Sequence, residues 1–327
     1  MPLPKPIASV SLDLDNKWSY LKIHGDQGWE SFPSYLDIVV PRVLEFLRAR
    51  QLTISVFIVG QDAALEKNHP ALASIAAAGH EIGNHSFHHE SWMHVYSETQ
   101  IEEEIGRAAE AIERVTGQRP RGFRGPGFSL SPTVLQVLAR QGYLYDASTF
   151  PTFLGPLARA YYFMTTKLTV EERRKRQALF GSFRDGFQSL KPYRWQLPAG
   201  ELIEIPVTTM PGCKVPIHVS YILYLSVFSP TMALAYFRAA LTLCRLTGTQ
   251  PSLLLHPLDF LGGDDVTDLA FFPAMGLPHE KKLAVVGTIL DVLATHFSLV
   301  TLRQHAQQVA QEVAVPLISP RVHPIPE

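Results

Sequence analysis

Hydrophobic positions along the chain change period in a regular rhythm. The run Ser9-Val10-Ser11-Leu12-Asp13-Leu14-Asp15 alternates, so Leu12 and Leu14 face one side of a predicted strand over residues 7–14 while Asp13 and Asp15 face the other. A helix over 35–50 follows, with Leu36, Val39, Val40, Val43, Leu44 and Leu47 on one face. Thr53 to Gly60 is β-branched and almost continuously apolar, as in a parallel strand buried on both faces. The rhythm continues with a helix over 62–78 ending at Gly79, a strand over 80–84, and a helix over 97–116 behind an Ser97 N-cap with acidic residues near its start. A strand and Gly/Pro-rich loop follow over 121–129, then a helix opened by Ser131-Pro132 and a strand from Gly142 to Ser148. Between the first strand and first helix lies a predicted loop of roughly twenty residues with Trp18, Tyr20, Trp29 and Phe32; rings there suit either sugar faces or simple packing.

From about Thr152 to Gly200 the rhythm breaks. Leu157, Tyr161, Met164 and Leu168 keep helical spacing beside Arg159, Lys167 and Arg173 to Arg176, which fits an insertion acting as a lid or as a membrane-facing helix. Alternation resumes with strands at 202–207, 252–256 and 297–300 and helices at 230–246, 279–295 and from 301. Val219 to Phe228 is the longest apolar run, short of a membrane span, and reads as buried core. Strand–helix alternation throughout predicts α/β architecture, with parallel βαβ units in a barrel or an open sheet. The expected organisation is a single domain over 1–315 and a loosely attached Pro-rich tail over 316–327.

Composition narrows the function. With 46% apolar residues the chain can bury a large core. Its 29 basic and 30 acidic residues give a net charge of -1, which leaves no nucleic-acid footprint. Cys213 and Cys244 are too few for a disulfide framework or a thiolate metal site. The N-terminus carries no secretory hydrophobic region, so a cytoplasmic protein is expected, with contact to the inner face of a membrane if the 152–200 helix lies on lipid. A homo-oligomer is compatible with either use of that helix.

Candidate chemistry gathers at strand ends. His85 and His89, four apart, would share one face of a helical turn and aim two imidazoles at one point. A catalytic metal takes three protein ligands, and the third is expected within Ser9 to Asp15. Arg124 beside Asp13 would hold that carboxylate ionised, His256 ends a hydrophobic strand, and Asp146 could orient such a histidine.

These pieces, in this order, resemble the polysaccharide deacetylases of the NodB-homology family (carbohydrate esterase family 4). Ser11-Leu12-Asp13-Leu14-Asp15 resembles the family's first motif with an inserted residue, and His85-Ser86-Phe87-His88-His89 the second, with Glu90 where many members have Pro. Arg124-Gly125-Pro126-Gly127-Phe128 corresponds to the third, with Gly127 where Tyr is common; Asp146 to Pro151 and Leu255-His256 correspond to the fourth and fifth. The resemblance implies a distorted (β/α) barrel, in which the insertion at about 152–200 has no counterpart. It also implies Asp15, His85 and His89 as ligands of a divalent metal, most often zinc, and Asp13 as general base. Gly127 would offer its main-chain N–H to the oxyanion, and His256, charged with help from Asp146, would protonate the leaving amine. The implied reaction removes an N-acyl group, usually acetyl, from an amino sugar in a glycan or a lipid-linked sugar. Two rivals stand beside it: a metal amidohydrolase acting on a small non-sugar amide, and a catalytically silent carbohydrate-binding relative.

Overall fold

The computed structural model describes residues 5–157, 183–312 and 314–320. Its centre is a run of parallel strands: β1 (Ile7–Asp13), β2 (Ser55–Ile58), β3 (Glu81–Asn84), β4 (Gly122–Phe123), β5 (Tyr145–Asp146), β7 (Gly200–Glu204) and β8 (Ser252–Leu255). Their order is β8-β1-β2-β3-β4-β5-β7, and β6 (Tyr193–Leu197) extends it beyond β7 as the antiparallel arm of a hairpin. β9 (Ser298–Val300) pairs with the start of β1. The two edges meet where Thr208 donates its N–H to the Ser252 carbonyl (3.0 Å) and Ser252 donates back to Thr208 Oγ1 (2.8 Å). The result is a distorted (β/α) barrel.

The alternation in β1 decides which face is which. Ala8, Val10 and Leu12 turn outward into the large apolar core, which includes α2 (Leu36–Arg48) and the helices described below. Ser9, Ser11 and Asp13 turn inward, so the barrel interior is buried and polar. Such groups must be partnered. Ser9 meets His305, Ser11 meets Arg124, and Ser55 donates to Glu81. Four further helices flank the first half: α1 (Lys17–His24), a short turn α3 (Gly60–Ala63), α4 (His69–Ala77) and α5 (Glu98–Thr116). Ser97 caps α5, as the sequence suggested, and Gln100 answers it in a reciprocal capping box; α6 (Pro132–Arg140) opens on Pro132 behind its Ser131 cap. After β7 come α7 (Val219–Phe228), α8 (Pro230–Thr247), α9 (His279–His296) and α10 (Leu302–Gln311). Leu302, Ala306 and Val309 of α10 join Phe57, Tyr145 and Ile205 in a core of their own and plug the floor of the barrel.

Four expectations change. The aromatic loop after β1 is largely α1, capped by Asn16; Trp18 and Tyr20 are 1% and 6% exposed, so these rings pack rather than display themselves. Val219–Phe228 is a helix with only one face buried; Val227 and Phe228 are exposed. The C-terminal part of the expected 152–200 insertion, Tyr193–Leu197, is strand β6 of the sheet. The chain near Pro316 is not loose, because Leu317–Ile318 pairs with β6 as β10. Most of the helical face and all of the cations proposed for 157–176 lie outside the described residues. Among the described residues no helix is long and apolar enough to cross a membrane.

Candidate metal centre and active site

In a parallel barrel the C-terminal ends of the strands share one rim, and the register here puts the candidate residues on it. Leu12 pairs with Leu255, so Asp13 and His256 emerge side by side. Asp13 pairs with Phe57, Ile58 with Asn84, Asn84 with Phe123 and Phe123 with Asp146, which delivers His85 and Arg124 to the same end.

The metal candidates converge. One ligand atom from each of Asp15, His85 and His89 lies within 4.8 Å of the others, and all three residues are buried. His89 Nε2 is 2.9 Å and His85 Nε2 3.3 Å from the same oxygen, Asp15 Oδ1. His85 Nδ1 donates to the Arg124 carbonyl (2.7 Å), so Nε2 is the nitrogen that faces the carboxylate. Either a proton on Nε2 or a shared metal ion satisfies both groups at this distance. Burial raises the Asp15 carboxyl, but the imidazoles of His89 and His85 outweigh it and hold it well below the ordinary range. For His85, burial opposes charge, yet Asp13, Asp15 and the Arg124 carbonyl overcome it and push the imidazole up. The donor set, two imidazole nitrogens and one carboxylate with polar surroundings, therefore fits a divalent cation.

Asp13 stands at the edge of this set, with Oδ2 4.0 Å from His85 Nε2 and Oδ1 held by Arg124. The guanidinium, with 0% side-chain exposure, donates from Nη1 to Asp13 Oδ1 (2.7 Å) and Ser11 Oγ (2.9 Å) and from Nε to the Ala147 carbonyl (2.9 Å). It also lies over the Phe57 ring, 4.6 Å from the centroid. Arg124 thus neutralises Asp13 and leaves Asp15 as the anion between the imidazoles.

The histidines do not meet through a helical turn. Residues 85–89 form a loop in which Ser86 and His89 take left-handed backbone conformations, with φ of 60° and 54°. Main-chain bonds hold the loop from both sides. The N–H groups of Gly60 and Gln61 donate to the carbonyls of Ser86 and Phe87 (2.8 and 2.9 Å). A side chain at Gly60 would meet Ala108 Cα at 2.6 Å, so only glycine lets α3 and α5 close on the loop. From α5, Glu104 Oε2 accepts from the N–H groups of Phe87 (3.1 Å) and His88 (3.0 Å), and its other oxygen meets His88 Nδ1. Burial raises Glu104, but these contacts outweigh it and its carboxyl lies below the usual range. Glu104 therefore binds the loop rather than decorating a helix dipole, and His88 is occupied by it, away from the metal candidates. A second buried acid braces the other flank: Asp62 Oδ1 accepts from Asn16 (2.7 Å) and from the Trp18 indole (3.0 Å), whose ring stands edge-on to His89. Burial pushes Asp62 up to about 7 against those donors. Neither acid carried a sequence signal, because each acts on chain distant from its own.

Gly127 sits exposed on the rim turn after Arg124 with φ +57°; a Cβ there would stand 3.0 Å from the Ser91 side chain. Beside it Phe128 stacks on Phe150 (4.6 Å), and Phe150 meets His218, itself 6.3 Å from His256.

Asp146 is placed differently from the expectation. It accepts from the Ser148 hydroxyl (2.7 Å) and N–H (3.2 Å), and the same hydroxyl accepts from the Gly125 N–H (2.8 Å). Its charged neighbour is Glu204, which takes N–H bonds from Thr149 and the Trp195 indole. Burial, followed by the Asp146 charge, pushes Glu204 well above the carboxylate range, so the pair shares a proton. The carboxylate at His256 is Asp259, because Pro257–Asp259 turns back immediately after the strand.

Comparison with known proteins adds an independent line. The polysaccharide deacetylase family matches residues 25–145. A peptidoglycan deacetylase of Helicobacter pylori is 26% identical over 149 residues, covering 43% of this chain and 49% of that protein. A peptidoglycan-N-acetylmuramic acid deacetylase of Bacillus subtilis is 32% identical over 105 residues, 32% of this chain and 38% of the relative. The chain thus spans half or less of the length of these relatives. Among solved structures, a candidate polysaccharide deacetylase of Mycobacterium smegmatis superposes with a TM-score of 0.61 at 21% identity, over 100% of this chain and 96% of that one. An allantoinase superposes with a TM-score of 0.59 at 18% identity, covering 94% and 91%.

Proposed function

We propose that this chain, which matches the polysaccharide deacetylase family, is a metal-dependent hydrolase that removes an N-acyl group, in the first instance acetyl, from an amino sugar of a glycan or lipid-linked sugar. The observation that carries the reading is the convergence of Asp15, His85 and His89 beside an Asp13 carboxylate neutralised by Arg124. The amino-sugar substrate rests on the relatives, which are named as peptidoglycan deacetylases. The solved structures share the fold alone.

Asp15, His85 and His89 would hold the cation, for which zinc suits two imidazoles and a carboxylate. A divalent ion held there supplies Lewis-acid polarisation of the acyl carbonyl and acidifies water. The remaining work falls to the chain. Asp13, held by the Arg124 guanidinium, accepts a proton from water as the water attacks the carbonyl carbon. The Gly127 N–H stands by for the developing oxyanion. The C–N bond breaks as His256 gives its proton to the departing amine, leaving a carboxylate and a free amino sugar.

Metal analysis joined to acetate and formate release tests this, using N-acylated glycans, lipid-linked sugars and small amides such as allantoin. Wild type should bind about one divalent ion and release acid from an amino sugar. Replacing Asp15, His85 or His89 by Ala should strip both metal and activity. Full metal content in His89→Ala, or turnover of small amides alone, overturns the assignment.

A further inference from the structure

The least expected feature of the rim is how His256 is held. Ser220, the second residue of α7, lies with its hydroxyl 3.1 Å from His256 Nδ1 and 2.7 Å from Asp259 Oδ1. The other oxygen of Asp259 accepts the main-chain N–H of His256 at 2.8 Å. Asp259 is 1% exposed. One carboxylate therefore fixes the backbone of His256 directly and its ring through Ser220.

A serine hydroxyl has one proton to give. The shorter contact, to an acceptor that bears charge, takes it. The Ser220 oxygen is then left to accept from the Nδ1–H of a charged ring, the main-chain N–H of Asp259 donates to the same side chain when the ring is neutral, and in both states Nε2 turns toward the rim.

We propose that Ser220 and Asp259 are the positioning pair of His256: together they fix its backbone and its ring so that Nε2 faces the rim, a role that Asp146 does not fill. This rests on reading His256 as the proton donor. In the proton step, His256 Nε2–H passes its proton to the amine nitrogen as the C–N bond breaks. The Nδ1–H stays on the Ser220 oxygen, Ser220 keeps its own proton, and Asp259 remains the acceptor. The partner-rich surroundings agree with this direction. His218, at the cap of α7, faces His256 and is held down to about 3 by burial and then by the His256 charge, so it stays neutral. Lys282 of α9 is buried behind the turn, donating to the Leu258 carbonyl (2.8 Å). Burial pushes the Asp259 carboxyl above the usual range, against the charge of His256 and the donors Ser220 and His256 N–H, with Lys282 acting in the same sense as those donors. Tyr20 of α1 and Asp13 of β1 also face this side.

The test combines kinetics with nitrogen-15 NMR of the histidines in the intact protein. The His256 ring resonances should report one fixed environment in wild type and move in Ser220→Ala. Ser220→Ala and Asp259→Asn should each lower kcat on the order of 10-fold, with KM and metal content unchanged, and Ser220→Thr should restore kcat. Should Asp259→Asn fail to fold, the Ser220→Ala and Ser220→Thr pair carries the test. His256 ring resonances and kcat that are unmoved in these variants but moved by Asp146→Asn overturn the proposal. The NMR outcome stands without turnover, so a wild type that releases no acyl group would sink the hydrolase reading and leave this one decided separately.

Discussion

Replacing Arg124 by Met would delete the charge that separates the two aspartates while keeping most of the volume. The guanidinium has 0% side-chain exposure and the Asp13 side chain only 6%, so water cannot take over. Met abandons the Asp13 contact at 2.7 Å, the Ser11 hydroxyl at 2.9 Å and the Ala147 carbonyl at 2.9 Å. Breaking one side of a buried ion pair costs about 3–5 kcal/mol, chiefly because the surviving charge is stranded. Urea unfolding of chelator-treated protein at neutral pH measures the stability term with no cation standing in for the arginine. The double variant Arg124→Met with Asp13→Asn should recover most of the loss, since no charge is then stranded. A loss below about 1 kcal/mol in the single variant, or a double variant no more stable than it, would refute the reasoning.

Three further outcomes follow from the same geometry. Glu104→Gln should weaken metal binding by about 10–100-fold while leaving bound-state activity measurable, because the loop carrying His85 and His89 loses its charged clamp; titration with zinc and a competing chelator reads it, and unchanged affinity would place the clamp elsewhere. Glu204 has a raised native pKa, so its contribution is complete below the ordinary glutamate value near 4.3 and is lost as pH rises through the raised one. Glu204→Gln should lower stability at acid pH yet flatten that alkaline decline in a series of urea midpoints, and a slope equal to wild type would count against the shared proton. Gly127→Ala should cost about 1 kcal/mol from its left-handed φ and its approach to Ser91, and a variant as stable as wild type would show that the turn relaxes freely.

What the sequence made legible was local. Asp13, His85, Arg124 and His256 each end or follow a short apolar strand, and a strand end in a parallel barrel faces the rim whatever the rest of the chain does. The i,i+4 spacing of the histidines pointed to a pair that does converge, but two left-handed residues and not a helical turn bring them together. Contacts across long sequence gaps were hidden. Glu104 reaches back to residue 87, Asp62 reaches Trp18, and Ser220 reaches Asp259. Asp146 was paired with His256 by type, but the parallel register gave it Glu204 as neighbour. The strand at Leu317–Ile318 was masked by its prolines, because β10 lies at the sheet edge, where proline costs little.

The barrel is sewn unevenly. β8 is bound to β1 along Ser9–Leu12, but on its other side it meets the sheet at Thr208 through a pair of bonds. A cylinder stitched this way behaves like a split ring, which gapes at the slit before it tears anywhere else. The slit lies outside the arc β8-β1-β2-β3-β4 that carries His256, Asp13, His85 and Arg124. Breathing can therefore widen the mouth without disturbing the distances that the chemistry depends on. Hydrogen exchange should show it, with the Thr208 and Ser252 amides exchanging well ahead of those of Leu12 and Ile82.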